Sequence, residues 1–184
     1  MSTNVTTLRI KVLGDPVLRK QAQAVKRITD THRQILSQMA RLMYDAQGIG
    51  LAAPQVGISQ AIIVADIGSG LYKLVNPRIV KKSGSQAIEE GCLSVPGICL
   101  KVKRAKRIVV EAQDEFANSL VIEAEDLLAT VFQHEIDHLK GKMIVDYASL
   151  WDKPKIKKKL EELKRVSDAE ELCESKTKSC KLQL

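Results

Sequence analysis

The stretch Leu127 to Leu139 is apolar over most of a helical circumference, apart from Gln133, His134, Glu135, Asp137 and His138. A helix of that kind belongs inside a protein rather than on its surface. It carries imidazoles and carboxylates with it, and buried polar groups need partners. The chain must therefore enclose this helix and satisfy its polar side chains at once. Asp126 reads as its cap and Gly141 as its stop. The 184 residues suffice for one domain with a real core and are too few for two. Aromatics make up only 3% of the chain, so that core must rest on Ile, Val, Leu, Ala and Met.

Other segments follow from spacing. Asp30 reads as an N-cap, and Ile35, Met39, Leu42, Met43 and Ala46 recur at helical intervals after it. That helix should end before Gly48, where a Gly-rich stretch runs to Gly57. Ala61 to Ala65, Tyr72 to Val75 and Ile79-Val80 read as β pieces, and Ser83-Gly84-Ser85 as a turn. Arg107 to Ala112 and Leu120 to Ala124 read as paired strands. Asp152 and Pro154 start a last helix, striped by Ile156, Leu160, Leu163 and Val166. Beyond about Ser175 the tail is polar and expected to fray. The mixed order predicts an α+β fold, with small mixed or antiparallel sheets packed around the central helix and one helix on either side of it in the chain. We expect one domain over 1–184, with a core at about 8–150 and a C-terminal helix and tail at 151–184.

His134-Glu135-Ile136-Asp137-His138 is an HExxH string. Its two histidines are one turn apart, so both rings leave the same helix face and can grip one divalent ion. Glu135 lies beside them, near enough to reach a water on that ion. The chain has only three histidines, and two of them are here. A third ligand is needed, and Cys92, between Gly91 and Leu93, is the best candidate. A thiolate and two imidazoles leave one tetrahedral position open, as catalytic sites require. Cys99 competes, but its apolar, strand-like surroundings favour a small buried hydrophobe. Cys173 and Cys180 fall in the charged tail and read as free thiols, with a disulfide between them as the lesser alternative. By ligand softness the set suits zinc.

The net charge of +7 is diffuse, with a surplus of three after Trp151. The run Lys153 to Lys159 is either a solvated helix face or a weak electrostatic hold on a polyanion such as ribosomal RNA. Scarce aromatics argue against a single-strand nucleic-acid binder. No apolar run reaches the ~18 residues of a membrane span. Met1 to Thr7 lacks a signal or transit pattern. A cytoplasmic, reducing setting is expected, with neither membrane nor DNA as partner. Two rival readings use the same string. A metalloprotease would draw its third ligand from downstream, at Glu161 or Glu162. An RNA-binding module with a structural metal would need four protein ligands, of which only three good ones can be named.

Three stretches together resemble the peptide deformylase family of bacterial type: Gly48 to Gln55 (GIGLAAPQ), Glu90 to Ser94 (EGCLS) and His134 to His138 (HEIDH). Leu13 to Arg19 is similar to the family's N-terminal segment. The resemblance implies a metal-dependent hydrolase that removes the N-formyl group from the formylmethionine of newly made polypeptides and releases formate. It implies Cys92, His134 and His138 as ligands of one divalent ion, ferrous iron in the cell with nickel or zinc as substitutes. It implies Glu135 as general acid and base, and an oxyanion hole from the Gln55 side-chain amide and the Leu93 N–H. Ile49, Gly50 and Gly91 would pair with the substrate backbone like an added strand. Ile88, Leu127 and Val131 would line the pocket for the methionine, with Glu90 near its mouth. Where many bacterial members carry Arg, this chain has Cys99. By the same analogy Arg104 is a candidate partner for Asp137.

Overall fold

The structure is a computed structural model that describes residues 8–168, with side chains followed to residue 165. The first helix, α1 (Asp30–Asp45), starts one residue earlier than expected: Thr29, not Asp30, is its cap, its N–H donating to His32 Nδ1 at 3.1 Å. Leu36, Met39, Ala40 and Met43 form its buried row. Seven strands follow in the chain: β1 (Gly50–Ala52), β2 (Ile62–Ala65), β3 (Tyr72–Ser83), β4 (Gln86–Glu90), β5 (Leu100–Arg104), β6 (Arg107–Gln113) and β7 (Ser119–Glu125). Two helices close the order, α2 (Asp126–Leu139) and α3 (Asp152–Asp168).

Five strands make one antiparallel sheet in the order β1-β2-β3-β6-β7, and β4 pairs with β5 in a separate hairpin. The α+β expectation holds, with sheets that are antiparallel throughout. β2 reads as an unbroken apolar run because it is buried on both faces. Its Ile63 and Ala65 face a cluster with Val131, Phe132 and Ile136 of α2, while Ile62 and Val64 face Leu36, Met39 and Met43 of α1. Helix α2 thus lies between the large sheet and the small hairpin. Gln86 Nε2 donates to Thr130 Oγ1 at 3.0 Å, which ties β4 to α2.

Some boundaries differ from expectation for physical reasons. The β pieces at Tyr72 and Ile79 are one strand, interrupted by two register shifts against β6. The first shift follows Asn76, whose backbone is left-handed at φ +54° and whose side chain receives the Val25 N–H at 2.8 Å and donates to the Val25 carbonyl at 2.9 Å. The hairpin strands β4 and β5 were hidden because charged residues occupy their outward positions. Asp126 is the first residue of α2, and Glu125 stands at the cap. Val166 of the expected α3 stripe, and Cys173, Cys180 and the tail, lie outside the residues whose side chains are described. Among the described residues no helix is long and apolar enough to cross a membrane.

Helix α2 ends as its sequence predicts. Gly141 is left-handed at φ +70°, and its N–H bonds the His138 carbonyl at 3.1 Å. A Cβ there would sit 2.5 Å from the backbone oxygen of Arg19. Gly141→Ala combines a left-handed non-glycine residue, costing about 1–3 kcal/mol, with that backbone collision. We expect urea denaturation to show a loss of at least that size. An unchanged midpoint would mean that the α2 terminus is not held this way.

Candidate metal centre

Cys92 lies two residues beyond the end of β4, and His134 and His138 project from the buried α2. The Cys92 Sγ lies 3.3 Å from His138 Nε2, and His138 Nε2 lies 3.2 Å from His134 Nε2. One ligand atom from each residue falls within 4.8 Å of the others, and all three residues are buried. They are the one such convergence of three or more metal-ligating side chains among the described residues.

The other histidine atoms differ in their fates. His134 Nδ1 sits 2.9 Å from Glu90 Oε2, which turns Nε2 towards the cluster. Among the described residues, His138 Nδ1 and both carboxylate oxygens of Glu135 are buried with no hydrogen-bond partner. Burial drives the Cys92 thiol up, and the nearby Glu135 and Glu90 charges add to it. Burial, then Glu90, raises Glu135 well above the usual carboxylate range. Burial, then His134 and Arg104, pushes His138 well below the usual histidine range. Burial is the largest cause in all three, and it favours the neutral form of each: thiol, carboxyl and imidazole. A divalent cation here would make a thiolate beside two neutral imidazoles the favoured state. The donor set, its burial and its orphaned carboxylate therefore fit one ion.

Gln55 is fully buried, and its amide is oriented by its own turn. Its Oε1 accepts from the Ala52 N–H at 2.8 Å, so Nε2 points to Ser94 Oγ at 3.2 Å and Cys92 Sγ at 3.7 Å. Leu93 lies beside Gly48, whose added Cβ would come 2.8 Å from the leucine Cδ1. Gly50 opens β1, the edge strand of the large sheet, and touches Glu135 and Val131. Ile49 precedes it, its carbonyl accepting from the Asp66 N–H at 2.9 Å. Along β4, Gln86, Ile88 and Glu90 share the face turned to α2, since the first bonds Thr130 and the last bonds His134. Ile88 therefore faces the helix between those two points. Leu127 is half-buried and Val131 fully buried on α2.

Residues 7–172 match the profile described as polypeptide deformylase. The chain belongs to that family. It is 44% identical over 167 residues to the peptide deformylase of Hamiltonella defensa, covering 89% of this chain and 98% of that one. It is 46% identical over 140 residues to that of Carboxydothermus hydrogenoformans, covering 76% and 92%. Among solved structures, the peptide deformylase of Legionella pneumophila superposes with a TM-score of 0.82 at 40% identity, covering 91% of this chain and all of that one. Removing the N-formyl group from newly made polypeptides, with release of formate, is the role of the deformylase family and the function of this chain.

Two expectations need correcting on this geometry. Glu90 is not at a pocket mouth: it is 0% exposed. Its oxygens receive Arg104 Nε at 2.7 Å and Arg104 Nη2 at 2.9 Å as well as facing His134. Burial would raise its carboxyl, but the Arg104 and His134 hydrogen bonds outweigh that and hold it below the ordinary range. Cys99 is not a small buried hydrophobe. It is half-buried and joined in a disulfide. Side chains alternate along this extended segment, so Ile98 and Leu100 turn inward and Cys99 turns out between them. Sequence reasoning missed the Glu90–Arg104 pair. The alternation of β4 and β5 carried the signal, since it places both residues on inward faces.

The fit of Gly50 is tight. An added Cβ would run into Glu135 Oε1 and lie 2.9 Å from its Cδ and 3.0 Å from Val131 Cγ1. Gly50→Ala should displace the Glu135 carboxylate, and misplacement by about 1 Å can cost ~100-fold in rate. The expected result is a fall of that order in kcat/KM for a formyl-methionyl peptide with the melting temperature little changed. Parental kcat/KM would show that the carboxylate position is not critical.

Proposed function

We propose that the Cys92, His134 and His138 cluster is the catalytic centre of the deformylase reaction, carried by one catalytic domain over 1–184 with its core at about 8–150 and a C-terminal helix and tail at 151–184. The observation that carries this reading is the convergence of one sulfur and two imidazole nitrogens beside a buried carboxylate that lacks a partner. Cys92 Sγ, His134 Nε2 and His138 Nε2 would hold one divalent ion, ferrous iron in the cell, with zinc or nickel able to substitute. Such an ion, when bound, supplies Lewis acidity that makes water a nucleophile near neutral pH.

The chain's own residues do the rest. Glu135 takes a proton from the attacking water and later delivers one to the leaving amine, which completes hydrolysis of the amide to formate and a free N-terminus. Its burial suits this, because a carboxyl raised above its usual range is a stronger base once ionised and a competent donor once protonated. The Gln55 Nε2 and the Leu93 N–H donate to the formyl oxygen and stabilise the negative charge that develops on it; one such donor is typically worth ~3–4 kcal/mol. Ile49 and Gly50, at the start of the edge strand β1, and Gly91 pair with the peptide backbone. Ile88, Leu127 and Val131 receive the methionine side chain. The substrates are formyl-methionyl nascent chains in the cytoplasm, and the lysines of α3 add a weak contact with the ribosome.

Neither rival reading finds support in the geometry. Glu161 and Glu162 are exposed on α3, and Glu162 pairs with Lys159 at 3.1 Å. The cluster offers three protein ligands among the described residues, which suits a reactive ion better than a structural one.

The decisive experiment joins metal analysis of anaerobically purified protein to a formate-release assay. We expect about one ion per chain and turnover of formyl-methionyl peptides. Glu135→Ala should retain the ion and lose several orders of magnitude in rate, whereas Cys92→Ala should lose the ion. Retained turnover in Glu135→Ala would remove that residue from the proton transfer, and full metal content in Cys92→Ala would move the third ligand elsewhere.

A further inference from the structure

The buried guanidinium of Arg104 sits between two carboxylates. Its Nε and Nη2 hold Glu90 in a two-point pair, and its Nη1 meets Asp137 Oδ2 at 2.5 Å. The Arg104 side chain is only 4% exposed. One cation cannot fully balance two anions, so Asp137 competes with Glu90 for it. Tyr147 enters from the short 3-10 turn Ile144–Tyr147 that follows α2. Its hydroxyl donates to the same Asp137 Oδ2 at 2.6 Å, and its ring covers the guanidinium, with Arg104 Cζ 4.8 Å from the ring centroid. Tyr147 is 39% exposed, so one side of this lid faces solvent and the other faces the ion pairs.

Stability alone does not account for the assembly. A buried ion pair is often no better than an apolar replacement of the same volume, because desolvation offsets attraction. What the assembly does fix is a direction. Glu90 Oε2, held by Arg104, meets His134 Nδ1 at 2.9 Å and so sets the ring plane that aims Nε2. We infer that Tyr147 is a positioning residue for His134: by satisfying Asp137 and sealing the guanidinium, it keeps Arg104 on Glu90 and Glu90 on the imidazole. This rests on the reading that His134 holds the ion with Cys92 and His138. Tyr147 touches neither substrate nor ion and acts through three intervening side chains drawn from α2, β4 and β5.

The test uses the full chain loaded with Co2+, whose visible bands report ligand geometry and whose affinity is read by competition with a chelator. Outer-shell changes at metal-binding histidines typically cost ~10–100-fold in affinity. Tyr147→Ala, which removes both ring and hydroxyl, should fall in that range and shift the cobalt bands. Tyr147→Phe, which keeps the ring, should recover most of the loss. Tyr44→Phe is the control, since it deletes an exposed tyrosine hydroxyl on another carboxylate, Asp66 at 2.6 Å, and should leave both readouts unchanged. A Co2+ affinity and spectrum in Tyr147→Ala equal to the parent's would overturn the inference. Should the alanine variant not fold, a parental affinity and spectrum in Arg104→Lys, which breaks the two-point pair, would overturn it instead. Failure of the parent itself to bind Co2+ through a thiolate would sink the ion site and this inference together, and the parent's own spectrum distinguishes that case.

Discussion

Every other feature of this fold answers to the burial of one helix on all sides. Ten residues of α2 are buried, and Thr130, Gln133, His134, Glu135 and His138 are among them. Leaving one such polar group without a partner typically costs ~1–3 kcal/mol, and more for a charged one. The structure meets most of that demand with neighbours of its own. Gln133 donates to the Ala105 carbonyl at 2.9 Å and receives the Ala105 N–H at 3.0 Å, clipping the β5–β6 connection to the helix. Arg104 answers Glu90 and Asp137. Glu135 and His138 Nδ1 are left over, and they border the one place where a cation solves the problem. The cost of burying α2 and the presence of a metal centre are thus two views of the same constraint.

The surrounding elements are arranged so that rigid pieces carry the reacting groups. The histidines and Glu135 ride on a helix packed between sheet and hairpin, so their mutual placement is set by helical geometry alone. Cys92 comes from the segment after β4, and it is fixed by packing: it shares a cluster with Val95, Ile98, Leu100, Met143 and Ile144, against which Ile156, Leu160 and Leu163 of α3 also pack. Gly48 and Gly50 matter for what they lack. Each leaves room for a side chain across from it, Leu93 in one case and Glu135 in the other. The aromatic-poor core follows the same economy, with Tyr72 edge-on to Phe132 at 5.3 Å as its one ring pair within the main cluster among the described residues.

Much of this was legible in the chain. Helix α2, its stop at Gly141 and the pairing of β6 with β7 came from periodicity and from a residue type suited to a left-handed turn. The three motif stretches located Cys92, His134 and His138, which the fold then brings together. Charge hid the rest. β4 and β5 read poorly because Glu89, Lys101 and Lys103 occupy their outward positions, and because Glu90 and Arg104, polar themselves, occupy inward ones. A pattern that treats every charged residue as outward misses both; the family resemblance implies Glu90 near a pocket mouth, whereas it lies fully buried against Arg104 and His134. Cys99 misled in the opposite way: its neighbours are apolar, but alternation turns it out of the core they form.

Breaking one partner of a buried ion pair costs about 3–5 kcal/mol, whereas the intact pair contributes little net stability. A chain under no demand but folding would therefore gain from replacing Glu90, Arg104 and Asp137 with packed apolar residues of like volume. Their contact with His134 and with the helix carrying both histidines is the observation from which we infer a role in orienting that imidazole. The same reasoning separates Asp137 from Glu135. They sit two residues apart on one helix, and each is an acid in a largely buried stretch. One is answered by Arg104 and Tyr147 and is structural in effect. The other has no hydrogen-bond partner among the described residues, and an ionisable group kept at that expense is a candidate for proton transfer.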